Sequence, residues 1–227
     1  MESVAARIRK VQEELASACQ AAGRSIEEVS LVAVSKRQPD ERVAEAYETG
    51  IRDFGENTLQ GLQARIAWAD AQGLKDIRWH FIGQIQSRKL KSVWGQVFMI
   101  HTMDRAKLVD AASRMGEKAQ ASLVQVNIGS EVQKGGVEPD ALPHLLESCV
   151  KASLEIRGLM CIPPNDGTPE RWFEALRRLG ETMSERGLLP RGPELSMGMS
   201  SDFVTAVGYG ATLVRVGSSL FGERKIP

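Results

Sequence analysis

The chain has 227 residues, 42% hydrophobic and 26% charged, an ordinary balance for a globular fold of one large domain or two small ones. Its 29 basic residues match 29 acidic ones, which argues against broad electrostatic binding to nucleic acid or to an anionic membrane. No apolar run is long enough to span a bilayer. The N-terminus lacks a signal-peptide pattern, and Cys19, Cys149 and Cys161 form no zinc or disulfide spacing, so a reducing cytoplasm is the expected compartment.

Val4, Ile8, Val11 and Leu15 put one apolar stripe on a helix over residues 2–22, and Gly23 offers it a stop. Leu31-Val32-Ala33-Val34-Ser35 reads as a buried strand ending at Lys36. A helix capped by Asp40 follows, then a strand over 51–55 and a helix from Asn57 or Thr58 carrying Leu59, Leu62, Ile66 and Ala69. Further strands are predicted at 78–83, 97–101, 122–127, 154–160, 194–197 and 211–217. Helical segments fall between them at 88–94, 104–118 (capped by Asp104), 139–151, up to Arg186 with Phe173, Leu176 and Leu179, and 201–207. A last turn starts at Ser218.

Strands alternating with helices imply a parallel sheet with right-handed crossovers. Eight strands with one helix in front predict an α/β fold, a (β/α)8 TIM barrel with an extra N-terminal helix, over 1–227 as one domain. A doubly wound open sheet is the alternative, but no G-x-G-x-x-G follows the first strand.

A barrel places its chemistry at the C-terminal ends of the strands. Lys36 stands there on the first strand, either as a nucleophilic amine that forms Schiff bases with carbonyls or as a side chain that snorkels to water. Met197-Gly198-Met199-Ser200-Ser201-Asp202 follows the seventh strand and Arg215-Val216-Gly217-Ser218-Ser219 the eighth. Barrels commonly bind phosphate between these two loops. Ser200 and Ser218 could equally be plain helix caps. Arg215 alternates with Val214 and Val216, so it can face the barrel interior and needs an acceptor there. A pyridine nitrogen or an internal carboxylate would serve. A lysine with two phosphate loops points to pyridoxal phosphate.

The segments 32–36, 54–57, 79–83, 158–160, 195–200 and 214–217 resemble, in one order along nearly the whole chain, the pyridoxal phosphate homeostasis proteins of the YggS/PROSC type. That family is similar to the N-terminal barrel of alanine racemase, fold type III among pyridoxal phosphate proteins. The resemblance implies that Lys36 is the Schiff-base lysine and that Asn57 lies near the cofactor ring. It further implies that Ser200, Gly217 and Ser218 hold phosphate and that Arg215 meets the pyridine nitrogen. Thr58, Gly61 and Arg88 depart from the family's pattern and bear on peripheral loops.

Racemization needs a base on each face of the substrate α-carbon. The alanine racemase resemblance would supply the second as a tyrosine from an additional domain, and this chain ends at Pro227 without one. Tyr47 falls on a helix and Tyr209 before the eighth strand, while His80 and Cys161 read more naturally as core residues. The expectation is a monomeric, cytoplasmic carrier of pyridoxal 5'-phosphate that takes part in vitamin B6 and amino-acid homeostasis without efficient catalysis. It binds no nucleic acid, membrane or metal, and apo-enzymes that need the cofactor are the candidate recipients. A weak racemase or lyase, and a lysine Schiff-base aldolase acting on a phosphosugar, are the alternatives. Lys89 and Lys134 are the secondary lysines considered.

Overall fold

The apolar runs become eight short strands. They are β1 (Ser30–Val34), β2 (Asp53–Glu56), β3 (Arg78–Phe81), β4 (Met99–Met103), β5 (Ser122–Val126), β6 (Ile156–Cys161), β7 (Glu194–Ser196) and β8 (Leu213–Val216). In this computed structural model, which describes residues 2–116 and 120–222, all neighbours are parallel and β8 returns to pair with β1. The sheet is therefore a closed barrel without edges, which removes the open-sheet alternative.

The helices are α1 (Val4–Ala21), α2 (Asp40–Glu48), α3 (Leu59–Ala71), α4 (Ala106–Ala112), α5 (Leu142–Lys151), α6 (Pro169–Glu185), α7 (Phe203–Gly208) and α8 (Ser218–Phe221). Ser3 caps α1 by accepting from the Ala6 N–H at 3.1 Å, and the predicted stripe of Val4, Ile8, Val11 and Leu15 is buried. Because α8 is a single turn, α1 packs against α7, α8 and α2 and closes the helical ring there. Between ring and barrel lie fully buried side chains such as Phe54, Leu62, Leu108 and Phe173, each stabilising the fold by about 1.5–3 kcal/mol. Inside the barrel Val32, Met99, Leu123, Met160 and Leu213 form a separate apolar cluster. No helix among the described residues is long and apolar enough to cross a membrane.

Several boundaries differ from the sequence reading. The fourth strand lies two residues later than predicted, because Val97 and Phe98 precede it. Phe98 is 43% exposed and lies under the guanidinium groups of Arg78 and Arg157. The strand runs on instead through Thr102, whose Oγ1 donates to the Gly83 carbonyl at 2.6 Å. His101 is thus inside β4, not at its end. Asp104 does not cap α4. Arg105 holds that position, and the Asp104 carboxylate accepts from the Arg105 side chain. The helix also ends at Ala112, well short of the predicted Lys118, which itself lies outside the described residues, as do the residues after Gly222. Glu56 closes β2 where the second strand was expected to stop at Gly55.

Candidate functional site

Lys36 follows β1 in a turn that is held from several sides. Ser35, fully buried, donates from Oγ to Glu56 Oε1 at 2.7 Å. The Gln38 N–H donates back to the Ser35 carbonyl at 3.0 Å. Arg37 between them adopts φ 59°, a left-handed conformation that costs an L-residue about 1–2 kcal/mol. Arg65 on α3 donates to the Gln38 carbonyl at 2.7 Å and also pairs with Asp40. Burial raises the Glu56 carboxyl above the ordinary glutamate value, and the Ser35 hydrogen bond and the Arg65 and Lys36 charges only partly offset it. Lys36 is accordingly presented by a braced loop, close to a buried carboxyl.

The turn opens onto a cavity of about 590 Å³ at the C-terminal mouth of the barrel. Its lining includes all six residues singled out from the sequence: Lys36, Asn57, Ser200, Arg215, Gly217 and Ser218. They share one inward parity along β1, β2 and β8 or sit in the loops after β7 and β8. Asn57 is set by Gly83, because a side-chain carbon at Gly83 would lie 1.9 Å from the Asn57 carbonyl oxygen. Gln84 and Gln125 form the far wall, with Gln84 Nε2 donating to Gln125 Oε1 at 2.6 Å and Gln125 Nε2 to the Gly135 carbonyl at 2.8 Å. Among the described residues, Lys36, Lys134 and Arg215 are the charged ones in the lining, and none of the lining residues is a carboxylate. Such a cavity suits an anionic ligand.

The loops after β7 and β8 are stitched together by Ser200. Its Oγ accepts from the Gly217 N–H at 3.2 Å and the Ser219 N–H at 3.3 Å. Ser200 is therefore not the cap of α7, which follows Asp202, and Ser218 is the first residue of α8, with Gly217 before it. Gly198 has φ 90°, and a side-chain carbon there would meet Ala206 Cβ at 2.6 Å, so only glycine lets this loop fold back onto α7. The Gly217 and Ser219 N–H groups, held by Ser200 Oγ, lie where two loops meet helix starts, a place that suits an anion.

Arg215 is buried and faces the interior, as its alternation in the sequence implies. It makes no ion pair with a carboxylate among the described residues. Nη1 donates to Ser196 Oγ at 2.6 Å and Nη2 to the Cys161 carbonyl at 2.9 Å. Burial lowers its pKa, against the opposing effect of Cys161 and Asp202, and a guanidinium keeps its proton regardless. Burial pushes the Cys161 thiol up to about 12, so it is neither a nucleophile nor a base at neutral pH. His80 lies deeper in the barrel and lines a different cavity. Tyr47 donates to Asp76 on the outer surface, and Tyr209 follows α7; neither lines the site. Among the described residues no group of three or more His, Cys, Asp or Glu side chains is placed to hold a metal ion.

Sequence reasoning placed Gln84 after the third strand at the barrel mouth without a role, and missed Ser35, Gln125 and Ser196 as parts of this site. Glu56 was visible beside Asn57 but was given no role. A period-two count back from Asn127 along β5 and from Gly198 along β7 could have found Gln125 and Ser196.

The family described as alanine racemase, N-terminal domain, matches residues 9–225. A pyridoxal phosphate homeostasis protein of Aquifex aeolicus is 40% identical over 228 residues, covering 96% of this chain and 97% of the relative. Among solved structures, PipY of Synechococcus elongatus with pyridoxal phosphate bound is 32% identical with a TM-score of 0.77, covering 93% of this chain and 100% of PipY. Alanine racemase of Corynebacterium glutamicum is similar in fold, with a TM-score of 0.71 at 17% identity, covering 95% of this chain and 61% of that one.

Proposed function

The chain belongs to the alanine racemase N-terminal domain family and to the pyridoxal phosphate homeostasis proteins, and from that membership we propose that it holds pyridoxal 5'-phosphate as a Schiff base on Lys36. The observation that carries this reading is one cavity that joins a braced lysine, two N–H-rich loops and a buried arginine, with no carboxylate in its lining among the described residues. When bound, the cofactor supplies an aldehyde and an electron-withdrawing ring.

The protein's own residues divide the work. Lys36 provides the amine. Ser200, Gly217 and Ser218 bind the phosphate through hydroxyl and backbone N–H donors. Asn57 packs beside the ring at a position fixed by Gly83. Arg215 would donate toward the ring nitrogen, and a nitrogen engaged in that way would stay unprotonated and leave the ring a weaker electron sink.

We read the protein as a carrier in vitamin B6 and amino-acid homeostasis, without efficient turnover. Among the described residues, only Lys36, Lys134 and Arg215 of the lining side chains are ionisable. Lys134 pairs with Glu131 at 2.5 Å and donates to the Pro163 carbonyl at 2.7 Å. A second base for the opposite face of a substrate α-carbon is therefore not supplied by a histidine, tyrosine or carboxylate of the lining. Monomeric delivery to apo-enzymes that require the cofactor completes the proposal.

The test is the visible spectrum of wild type and Lys36→Ala with added pyridoxal phosphate, followed by borohydride reduction and peptide mapping. The expected result is an absorbance band in wild type alone and a label on Lys36. No band in either protein, or label elsewhere with Lys36→Ala unchanged, overturns the proposal. Release of α-tritium from any amino acid in a broad screen, lost in Lys36→Ala, would replace the carrier reading by an enzymatic one.

A further inference from the structure

Four polar side chains cross the barrel interior from end to end. Asp53 on β2 accepts from Arg78 Nε at 2.7 Å, and its Oδ1 lies 2.9 Å from His80 Nε2. His80 Nδ1 lies 2.9 Å from His101 Nε2, and His101 Nδ1 lies 2.9 Å from Ser196 Oγ. Ser196 Oγ then accepts from Arg215 Nη1. His80, His101 and Ser196 are each 0% exposed. Asp53 and His80 line a cavity of about 400 Å³ at the N-terminal ends of the strands, whereas Arg215 lines the cavity at the other end. The chain of contacts thus joins two ends of the barrel that share no lining residue.

Elementary chemistry sets the direction of every bond in it. Burial would raise the Asp53 carboxyl, but hydrogen bonds from Arg78 and His80 outweigh it and hold the pKa below the ordinary aspartate value. A carboxylate only accepts, so His80 carries its hydrogen on Nε2. With that single hydrogen on the ring, His80 Nδ1 accepts and His101 donates from Nε2. Burial, aided by the Arg215 charge, keeps His101 neutral, which makes its Nδ1 an acceptor for the Ser196 hydroxyl. With its own hydrogen given to His101, Ser196 Oγ is left to accept from Arg215. Two of the five guanidinium N–H groups are then engaged inside the protein, by Ser196 and by the Cys161 carbonyl.

We propose that Asp53, His80, His101 and Ser196 are positioning residues for Arg215. They form a one-way donor chain that fixes which guanidinium N–H groups are engaged within the barrel and which face the cavity ligand. The inference rests on the reading that the cavity takes pyridoxal phosphate with its ring against Arg215. Their effect on the ring passes through the guanidinium.

Nitrogen-15 spectra of ligand-free protein labelled at histidine test the direction of the chain. Both His80 and His101 are expected to carry hydrogen on Nε2 and not on Nδ1. Hydrogen on His101 Nδ1 overturns the one-way chain. Titration with pyridoxal phosphate, read by visible absorbance, tests the positioning. Ser196→Ala removes one acceptor from a charged donor and is expected to weaken binding about tenfold and to move the absorbance maximum. Ser196→Thr restores both. Asp53→Asn moves the maximum although it lies at the far end of the barrel, a coupling that a merely structural residue does not produce.

An unchanged affinity and maximum in a folded Ser196→Ala protein overturn the positioning role while leaving the cofactor reading intact. Should Ser196→Ala fail to fold, as a thermal melt would reveal, Ser196→Thr and the wild-type histidine spectra decide. A wild type that takes up no pyridoxal phosphate overturns the functional reading and the ring-facing part of this inference, whereas the histidine spectra still settle the direction of the chain.

Discussion

Gly83→Ala is the sharpest probe of how the site is built. A Cβ at this position would sit 1.9 Å from the Asn57 carbonyl oxygen, 2.6 Å from its carbon and 2.8 Å from Asn57 Cα. Ordinary contact requires about 3.5 Å between such atoms, so the two backbones must part by roughly 1.5 Å. Neither can do so cheaply. The Thr102 hydroxyl holds the Gly83 carbonyl at 2.6 Å, and the Ile82 N–H is bonded to the Glu56 carbonyl at 2.9 Å. Overpacking of this kind costs about 1–3 kcal/mol or more. At about 2–4 °C per kcal/mol for a domain of this size, the upper end of that range lowers the melting temperature by roughly 6–12 °C. Because Gly83 and Asn57 both line the cavity, pyridoxal phosphate binding should weaken as well. Gly208→Ala serves as the control, since a Cβ there meets nothing within 4 Å, and it should be neutral or slightly stabilising. A Gly83→Ala protein that melts with wild type and binds the cofactor equally well would falsify the claim that Gly83 sets Asn57.

Two further outcomes concern stability. The folded-state pKa of His101 lies well below 6.5 because burial, then the Arg215 charge, disfavours its protonation. The unfolded chain therefore binds the extra proton first, so this stability is present above pH 6.5 and is lost as pH falls below it. The slope is about 1.4 kcal/mol per pH unit, measurable as a falling melting temperature in acid that His101→Gln flattens. Arg37→Gly should fall within about 0.5 kcal/mol of wild type. It relieves about 1 kcal/mol of left-handed strain and adds a comparable backbone entropy to the unfolded chain, so a denaturant-melt loss above about 2 kcal/mol would contradict the strained turn at Lys36.

The barrel and its ligand end were legible because both depend on local pattern. Alternating apolar runs and helical stripes give the element order, and the inward parity of Lys36, Asn57 and Arg215 follows from counting by two along each strand. Boundaries were less legible where an apolar residue lies outside the core. Phe98 extends the fourth apolar run but is used as a platform under Arg78 and Arg157, and nothing in the sequence separates that use from strand burial. Capping at Asp104 failed for a similar reason, since the carboxylate found a guanidinium before it found a helix N–H. Ser200 was placed in the correct loop, but its bonds to the Gly217 and Ser219 N–H groups depend on how two loops approach in space.

The polar chain through the interior was illegible for a deeper reason. Asp53, His80, His101 and Ser196 lie on four different strands, and parity states only that each points inward. Which of them touch is decided by register, where Gly55 lies opposite His80 and His80 opposite Met99, and by the stagger that closes the barrel. Neither quantity is written in one strand. The arrangement also needs a reason beyond stability. Val32, Met99, Leu123, Met160 and Leu213 already pack inside the same barrel, and buried ionic groups are often replaceable by apolar ones at no loss. Each link here is satisfied, and removing any one would strand a buried donor or acceptor at about 1–3 kcal/mol. What the apolar alternative could not supply is a guanidinium held in one orientation at the floor of the ligand cavity. The polar interior is therefore best understood as part of the site, extending it from the mouth of the barrel to the opposite end.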